Sequence, residues 1–129
     1  MDRIVGGIIY NSDNQILMQL RDNKKNISDP GLWTFPGGKV EIFEKKVSAL
    51  YREIFEETNI KIKTYKFFKK LKISTNKTIF LYFIPYDGKS IIRCGEGQKL
   101  EFHDFKNLSK LESPNYISIL LESIRHHII

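Results

Sequence analysis

The sequence predicts one α/β (α+β) domain, a mixed β-sheet sandwiched between α-helices, and three observations predict it. Period-two alternation of apolar residues recurs from one end to the other, helical periodicity appears in only two stretches, and 129 residues leave room for one core. No repeat, low-complexity tract or linker interrupts residues 1–129, so they are read as a single domain. With 41% hydrophobic and 28% charged residues the chain is globular and not disordered. A lone cysteine, Cys94, excludes an intrachain disulfide, and no Cys/His spacing suits zinc.

Ile4 to Tyr10 is a strand, and Asn11 to Asn14 is turn chemistry. Gln15 to Arg21 sets Ile16, Met18 and Leu20 against Leu17 and Gln19 and completes a hairpin. A polar loop runs from Asp22 to Pro30. Leu32 to Phe35 is a short extended piece, because Pro36 keeps Phe35 out of the helical region. Pro36-Gly37-Gly38 then breaks the chain direction. Lys45 to Thr58 is the clearest helix, with Val47, Leu50, Tyr51, Ile54 and Thr58 forming one core-facing stripe. Asn59 suits its end, since asparagine tolerates the left-handed conformation. Ile60 to Ile73 alternates with lysine as a strand, Thr78 to Tyr86 is a more buried one, and Leu100 to Phe105 is a third. Asn115 to His127 carries Ile117, Leu120, Leu121 and Ile124 on one helical face after Ser113-Pro114.

The segment Gly38 to Ile60, GKVEIFEKKVSALYREIFEETNI, concentrates the chemistry. Glu53, Glu56 and Glu57 stand at i, i+3 and i+4, so their carboxylates share one helix face. Like charges at that spacing repel, and a hard cation between them, Mg²⁺ or Mn²⁺, is the simplest reason to tolerate them. Glu41 and Glu44 precede the helix, where negative charge suits its dipole. Arg52 is placed to neutralise Glu44 or Glu56. Gly37 and Gly38 allow backbone groups to approach whatever the carboxylates hold. Taken alone, such a run also reads as a solvated helix face.

The spacing resembles the Nudix hydrolase box, Gly-x5-Glu-x7-Arg-Glu-U-x-Glu-Glu-x-Gly-U with U a bulky aliphatic. Gly38, Glu44, Arg52, Glu53, Ile54, Glu56, Glu57 and Ile60 fall in place. Asn59 replaces the family's glycine, a conservative change at a helix end. Leu32 to Glu41 is similar to the approach to the box in MutT-type members, and Glu96-Gly97-Gln98 to a loop that supplies a further glutamate. The resemblance implies the Nudix fold and hydrolysis of a pyrophosphate bond in a nucleoside diphosphate derivative. It implies Glu53, Glu56 and Glu57 as Mg²⁺ ligands, with the Gly37 carbonyl and Glu96 as further ones. Arg52 and Glu44 are supporting residues, and the general base is Glu53 or Glu96.

The same resemblance sets Arg21, Phe35 and Asn115 against the substrate, with Gly38 and Lys39 beside them. Phe35 reads equally as core and Asn115 as a helix cap, while Trp33 and Phe80 read as core or as base-stacking rings. A nucleoside triphosphate, oxidised or ordinary, leads as substrate, split to monophosphate and pyrophosphate, and a nucleotide sugar is the alternative. A catalytically inactive ligand- or RNA-binding module is the rival class, but every acidic position of the box is filled. The net charge of +6 comes from scattered lysines, many alternating with apolar residues as on a solvated strand face. Interleaved basic and aromatic residues are absent from any one strand pair, so stable nucleic-acid binding is not expected. Met1 to Gly7 runs straight into a strand, and no apolar stretch reaches membrane-spanning length, so a cytoplasmic location and no membrane partner are expected. Self-association as a homodimer stays open.

Overall fold

The computed structural model describes residues 1–95, 97 and 99–129. In chain order the elements are β1 (Asp2–Tyr10), β2 (Ile16–Leu20), β3 (Trp33–Thr34), β4 (Gly37–Lys39), α1 (Lys46–Thr58), β5 (Lys66–Ser74), β6 (Lys77–Pro85), β7 (Lys99–His103), α2 (Phe105–Leu108) and α3 (Asn115–Ile128). The strands join one mixed sheet in the order β3-β2-β1-β6-β5, with β4 also pairing β1 and β7 also pairing β2. β1 and β6 run parallel, and the other pairs are antiparallel.

Successive strand residues point to opposite faces, and that alternation builds two cores. Val5, Ile9, Leu17, Phe80, Tyr82 and Ile84 face Ala49, Leu50 and Ile54 of α1. Ile8, Ile16, Met18, Ile79, Leu81 and Phe83 face Ile117, Leu120 and Ile124 of α3. Both faces of the central strands are therefore covered, which is why β6 reads as a continuous apolar run.

Four expectations need correction. The strand expected over Ile60 to Ile73 begins only at Lys66. Ile60 and Ile62 alternate with lysine because they pack into the α1 core as irregular chain, outside the sheet. The strand expected from Leu100 to Phe105 stops at His103. There the Asp104 side chain accepts a hydrogen bond from the Asn107 N–H at 2.8 Å and starts α2, which was not foreseen. Pro36-Gly37-Gly38, expected as a break, leads into β4 instead, where Gly37 to Lys39 pair with β1. Tyr51, placed in the core stripe of α1, sits at its edge and is exposed.

Candidate active site

The last turn of α1 is tied down by backbone bonds, and they fix where its carboxylates lie. Asn59 adopts φ +66°, the expected left-handed cap, and its N–H donates to the Phe55 carbonyl at 2.8 Å. The Thr58 and Glu57 carbonyls, which have no partner inside the helix, accept from the N–H groups of Arg93 and Gly95 at 3.0 and 2.9 Å. Residues 93–95, after β6, are thus laid across the end of α1. A Cβ at Gly95 would lie 1.9 Å from the Glu56 carbonyl oxygen, so only glycine permits this approach.

One turn earlier, Arg52 organises the charged face. Its Nε and one terminal nitrogen donate to the two carboxylate oxygens of Glu44, each at 2.8 Å, a fork-on-fork pair. The other terminal nitrogen donates to Glu53 at 2.7 Å and stands 3.5 Å from Glu56. A further bond reaches the Lys39 carbonyl at 3.1 Å, which joins α1 to β4. Arg52, Glu44 and Glu53 are 27, 17 and 13% exposed, so water screens these contacts only in part. Arg52 was expected to neutralise Glu44 or Glu56; it holds Glu44 and Glu53 and approaches Glu56. Glu41 completes the loop by donating its N–H to Glu44 at 2.9 Å.

The Arg52 fork, with the Glu41 N–H, lowers the Glu44 pKa from 4.5 to about 2. A carboxylate depressed by folding contributes stability above its ordinary pKa and loses it as the pH falls through the folded value. The loop-to-helix clasp should therefore be intact above pH 4.5 and loosen between 4.5 and about 2. A carbon-13 NMR titration of the Glu44 carboxyl checks this: the midpoint is expected near 2, and a midpoint near 4.5 would show the pair to be absent in solution.

Glu53 packs against Gly38 of β4, where an added Cβ would lie 2.2 Å from its carboxylate oxygen. Glu57 is turned inward and only 6% exposed. It accepts a hydrogen bond from the Nε2 of Gln19, itself 2% exposed in the middle of β2. Sequence reasoning missed Gln19 as a site residue. The signal was present, because Gln19 is a polar side chain on the strand face that Leu17 buries under α1.

Two openings flank this face and share Arg21. One, of about 460 Å³, is lined by Gln19, Arg21, Asp22, Lys24, Glu57 and Gly95, among others. The other is a groove of about 240 Å³ whose lining includes Arg21, Asp29, Phe35, Gly38, Lys39 and Tyr116. Four of the five expected substrate residues, Arg21, Phe35, Gly38 and Lys39, thus meet in one groove. Asn115 does not line it: as the exposed first residue of α3 it leaves that place to Tyr116, and Pro114 occupies the capping position. Phe35 is both core and groove wall, since it packs with the α3 cluster and lines the opening. Burial, with Asp29 nearby, pushes the Tyr116 hydroxyl well above the ordinary tyrosine range and keeps it a donor. The loop over the groove is fastened at Ser28, whose carbonyl accepts from Arg21 Nε at 2.6 Å and whose hydroxyl accepts from Lys77 at 2.7 Å. Trp33 stacks edge-on against His103, and Phe80 is buried.

The donor set suits a hard divalent cation, being carboxylate and backbone oxygen throughout. Glycine at 38 leaves the space beside Glu53 to its carboxylate. Among the described residues no three His, Cys, Asp or Glu side chains stand together as a metal-holding group. Glu53 is turned to Arg52 and Glu57 to Gln19, so sharing one ion requires rotation of these side chains. Glu96, the other expected ligand, and Gln98 lie outside the described residues. No helix among the described residues is long and apolar enough to cross a membrane.

A family model described as the NUDIX domain matches residues 2–121. An 8-oxo-dGTP diphosphatase from Buchnera aphidicola subsp. Schizaphis graminum is 36% identical over 114 residues, which cover 87% of this chain and 85% of that protein. The 8-oxo-dGTP diphosphatase of Escherichia coli K12 is 34% identical over 70 residues, 54% of this chain and 53% of its own. A solved MutT structure, from work on the Aliivibrio salmonicida and Vibrio cholerae proteins, superposes with a TM-score of 0.82 at 26% identity and covers 98% of both chains.

Proposed function

This chain belongs to the Nudix hydrolase family, and we propose that it splits a nucleoside triphosphate to monophosphate and pyrophosphate, with an oxidised purine such as 8-oxo-dGTP as the leading substrate. The observation that carries the reading is the groove beside the glutamate-bearing helix, with aromatic walls from Phe35 and Tyr116 and cations from Arg21, Lys39 and Lys77. That is one compartment for a flat base and a charged rim for phosphates. The names of the two 8-oxo-dGTP diphosphatases support the same substrate class.

In this reading Glu53, Glu56 and Glu57 hold Mg²⁺, for which Mn²⁺ can substitute, with the Gly37 carbonyl and Glu96 as further ligands. The ion, when bound, supplies positive charge that neutralises phosphate oxygens. Water adds to one phosphorus of the α–β anhydride, the bridging P–O bond breaks, and its electron pair leaves with the departing phosphate. Glu53 or Glu96 accepts the water's proton. Arg52 and Glu44 act as positioning residues that keep β4, the loop and α1 in one arrangement, so the carboxylates need little reordering. Arg21 and Lys39 meet phosphate charge, Gly38 keeps the space beside Glu53 clear, and Phe35 and Tyr116 face the base.

Gln19 orients Glu57. Replacing it with leucine removes that donor while keeping the volume similar, and such partners of metal-binding side chains typically govern about 10–100-fold in affinity or activity. Gln19→Leu should therefore raise the Mg²⁺ concentration for half-maximal turnover and weaken Mn²⁺ binding measured by electron paramagnetic resonance. Unchanged Mn²⁺ affinity in a folded variant would remove Gln19 from this role.

Comparing kcat/KM for 8-oxo-dGTP, dGTP, CTP and a nucleotide sugar, with product identification, tests the substrate. The expected result is highest kcat/KM for 8-oxo-dGTP, with monophosphate and pyrophosphate as products. A preference for the nucleotide sugar would reject the triphosphate reading and keep the family chemistry.

A further inference from the structure

The sheet face that carries α1 extends past the helix, and strand register dictates what it displays. Arg3 pairs with Thr78, and Thr78 with Lys72, so these residues form one row across β1, β6 and β5. Val5, Phe80 and Lys70 form the next row on the same face. Val5 and Phe80 belong to the core under α1, which identifies that face. Lys46, the first residue of α1, brings its ammonium 4.4 Å from the Phe80 ring centre, and Lys70 approaches to 5.8 Å.

Aromatic rings continue the band. Phe67 pairs with Tyr82 across β5 and β6. Tyr65 stands edge-on to Tyr82 at 5.8 Å and to Tyr51 at 6.0 Å. Tyr51, Phe55, Tyr65 and Phe67 are between 38 and 50% exposed. From Asn59 to Tyr86 the chain carries seven lysines and no acidic residue. Lysines on an edge strand by themselves discourage sheet-to-sheet pairing. That protection does not call for four exposed rings beside them.

We propose that this face is a docking surface for single-stranded nucleic acid, in which Arg3, Lys46, Lys70 and Lys72 meet phosphates and Phe67, Tyr65 and Tyr51 offer rings to bases. The complementarity is chemical: the ligand alternates negative charge with flat rings, and the face offers cations and rings along roughly 23 Å, about seven residues at 3.3 Å each. A second copy of the chain fits less well, because a self-complementary contact would bring the same lysines together. Tyr51 and Phe55 stand two residues from Glu53 and Glu57, roughly 200° round the helix. Docking here leaves the carboxylate face open, and the β5–β6 pair sets Lys70 and Lys72 among Phe67, Phe80 and Tyr82 on one face, which corrects the expectation that no strand pair interleaves basic and aromatic residues.

Fluorescence anisotropy with a labelled 20-nucleotide oligo-uridine tests the proposal. Four phosphate contacts predict that affinity falls about 50-fold between 50 and 200 mM salt. Lys70→Glu with Lys72→Glu should weaken binding at least tenfold, and Tyr65→Ala with Phe67→Ala should do the same, while hydrolysis of a mononucleotide substrate stays within twofold. Backbone NMR shifts on the unaltered protein, read with the same oligonucleotide, should map to residues 65–72 and guard against a variant that misfolds. No binding at 50 mM salt, shifts elsewhere, or variants that bind normally would overturn the proposal. So would stronger binding to phosphatidylserine vesicles than to the oligonucleotide, or a dimer that these variants dissolve.

Discussion

Replacing Glu57 with glutamine is expected to lower kcat by roughly 10²–10³-fold, the usual scale for removing one group that stabilises transition-state charge. The substitution keeps shape and keeps an oxygen to accept the Gln19 bond, so the fold should survive. Thermal unfolding of the variant should match the parent within a few degrees or exceed it, because a buried carboxylate is replaced by a neutral amide at a site only 6% exposed. A Mn²⁺ titration should show weakened binding alongside the lost turnover. Near-normal Mg²⁺-dependent turnover in Glu57→Gln would remove Glu57 from the metal set, and the same swap at Glu56 gives an independent reading.

The second large effect is expected at Arg52. Lysine keeps the charge but offers a single ammonium in place of a planar fork, and the arginine spans both Glu44 oxygens and Glu53 at 2.7–2.8 Å. Arg52→Lys should lower kcat about 10–100-fold, as expected when a residue that orients the reacting groups is lost. It should also move the Glu44 NMR midpoint up from about 2 towards the ordinary value of 4.5. Both changes together identify positioning through the clasp. A lower kcat with an unmoved Glu44 midpoint would assign Arg52 a direct contact with substrate instead.

The box was legible because its physics is local. Helical spacing alone puts Glu53, Glu56 and Glu57 on one face, and Asn59 could be recognised as a left-handed cap from its side chain; its φ of +66° agrees. Long-range partners were less legible. Gln19 lies 38 positions from Glu57, and only the sheet, by placing β2 under α1, brings them into contact. Tyr116 escaped notice because neighbouring positions at a helix start face different ways, and the sequence does not give that phase. Ile60 and Ile62 misled for a related reason: period-two alternation marks burial on one side of an extended chain, and irregular chain against a helix produces it as readily as a strand does. Gly37 to Lys39 was hidden by composition, since two glycines in three residues carry no strand signal.

Pyrophosphate release from 8-oxo-dGTP, measured with Mg²⁺ and again in excess EDTA, decides whether this protein is a metal-dependent triphosphate pyrophosphohydrolase. Turnover is expected with the ion and none above background without it, restored when Mn²⁺ is added. Undiminished release in EDTA would rule out the metal role of the glutamates, and no release from any nucleoside triphosphate by a folded, Mg²⁺-loaded protein would rule out the substrate class.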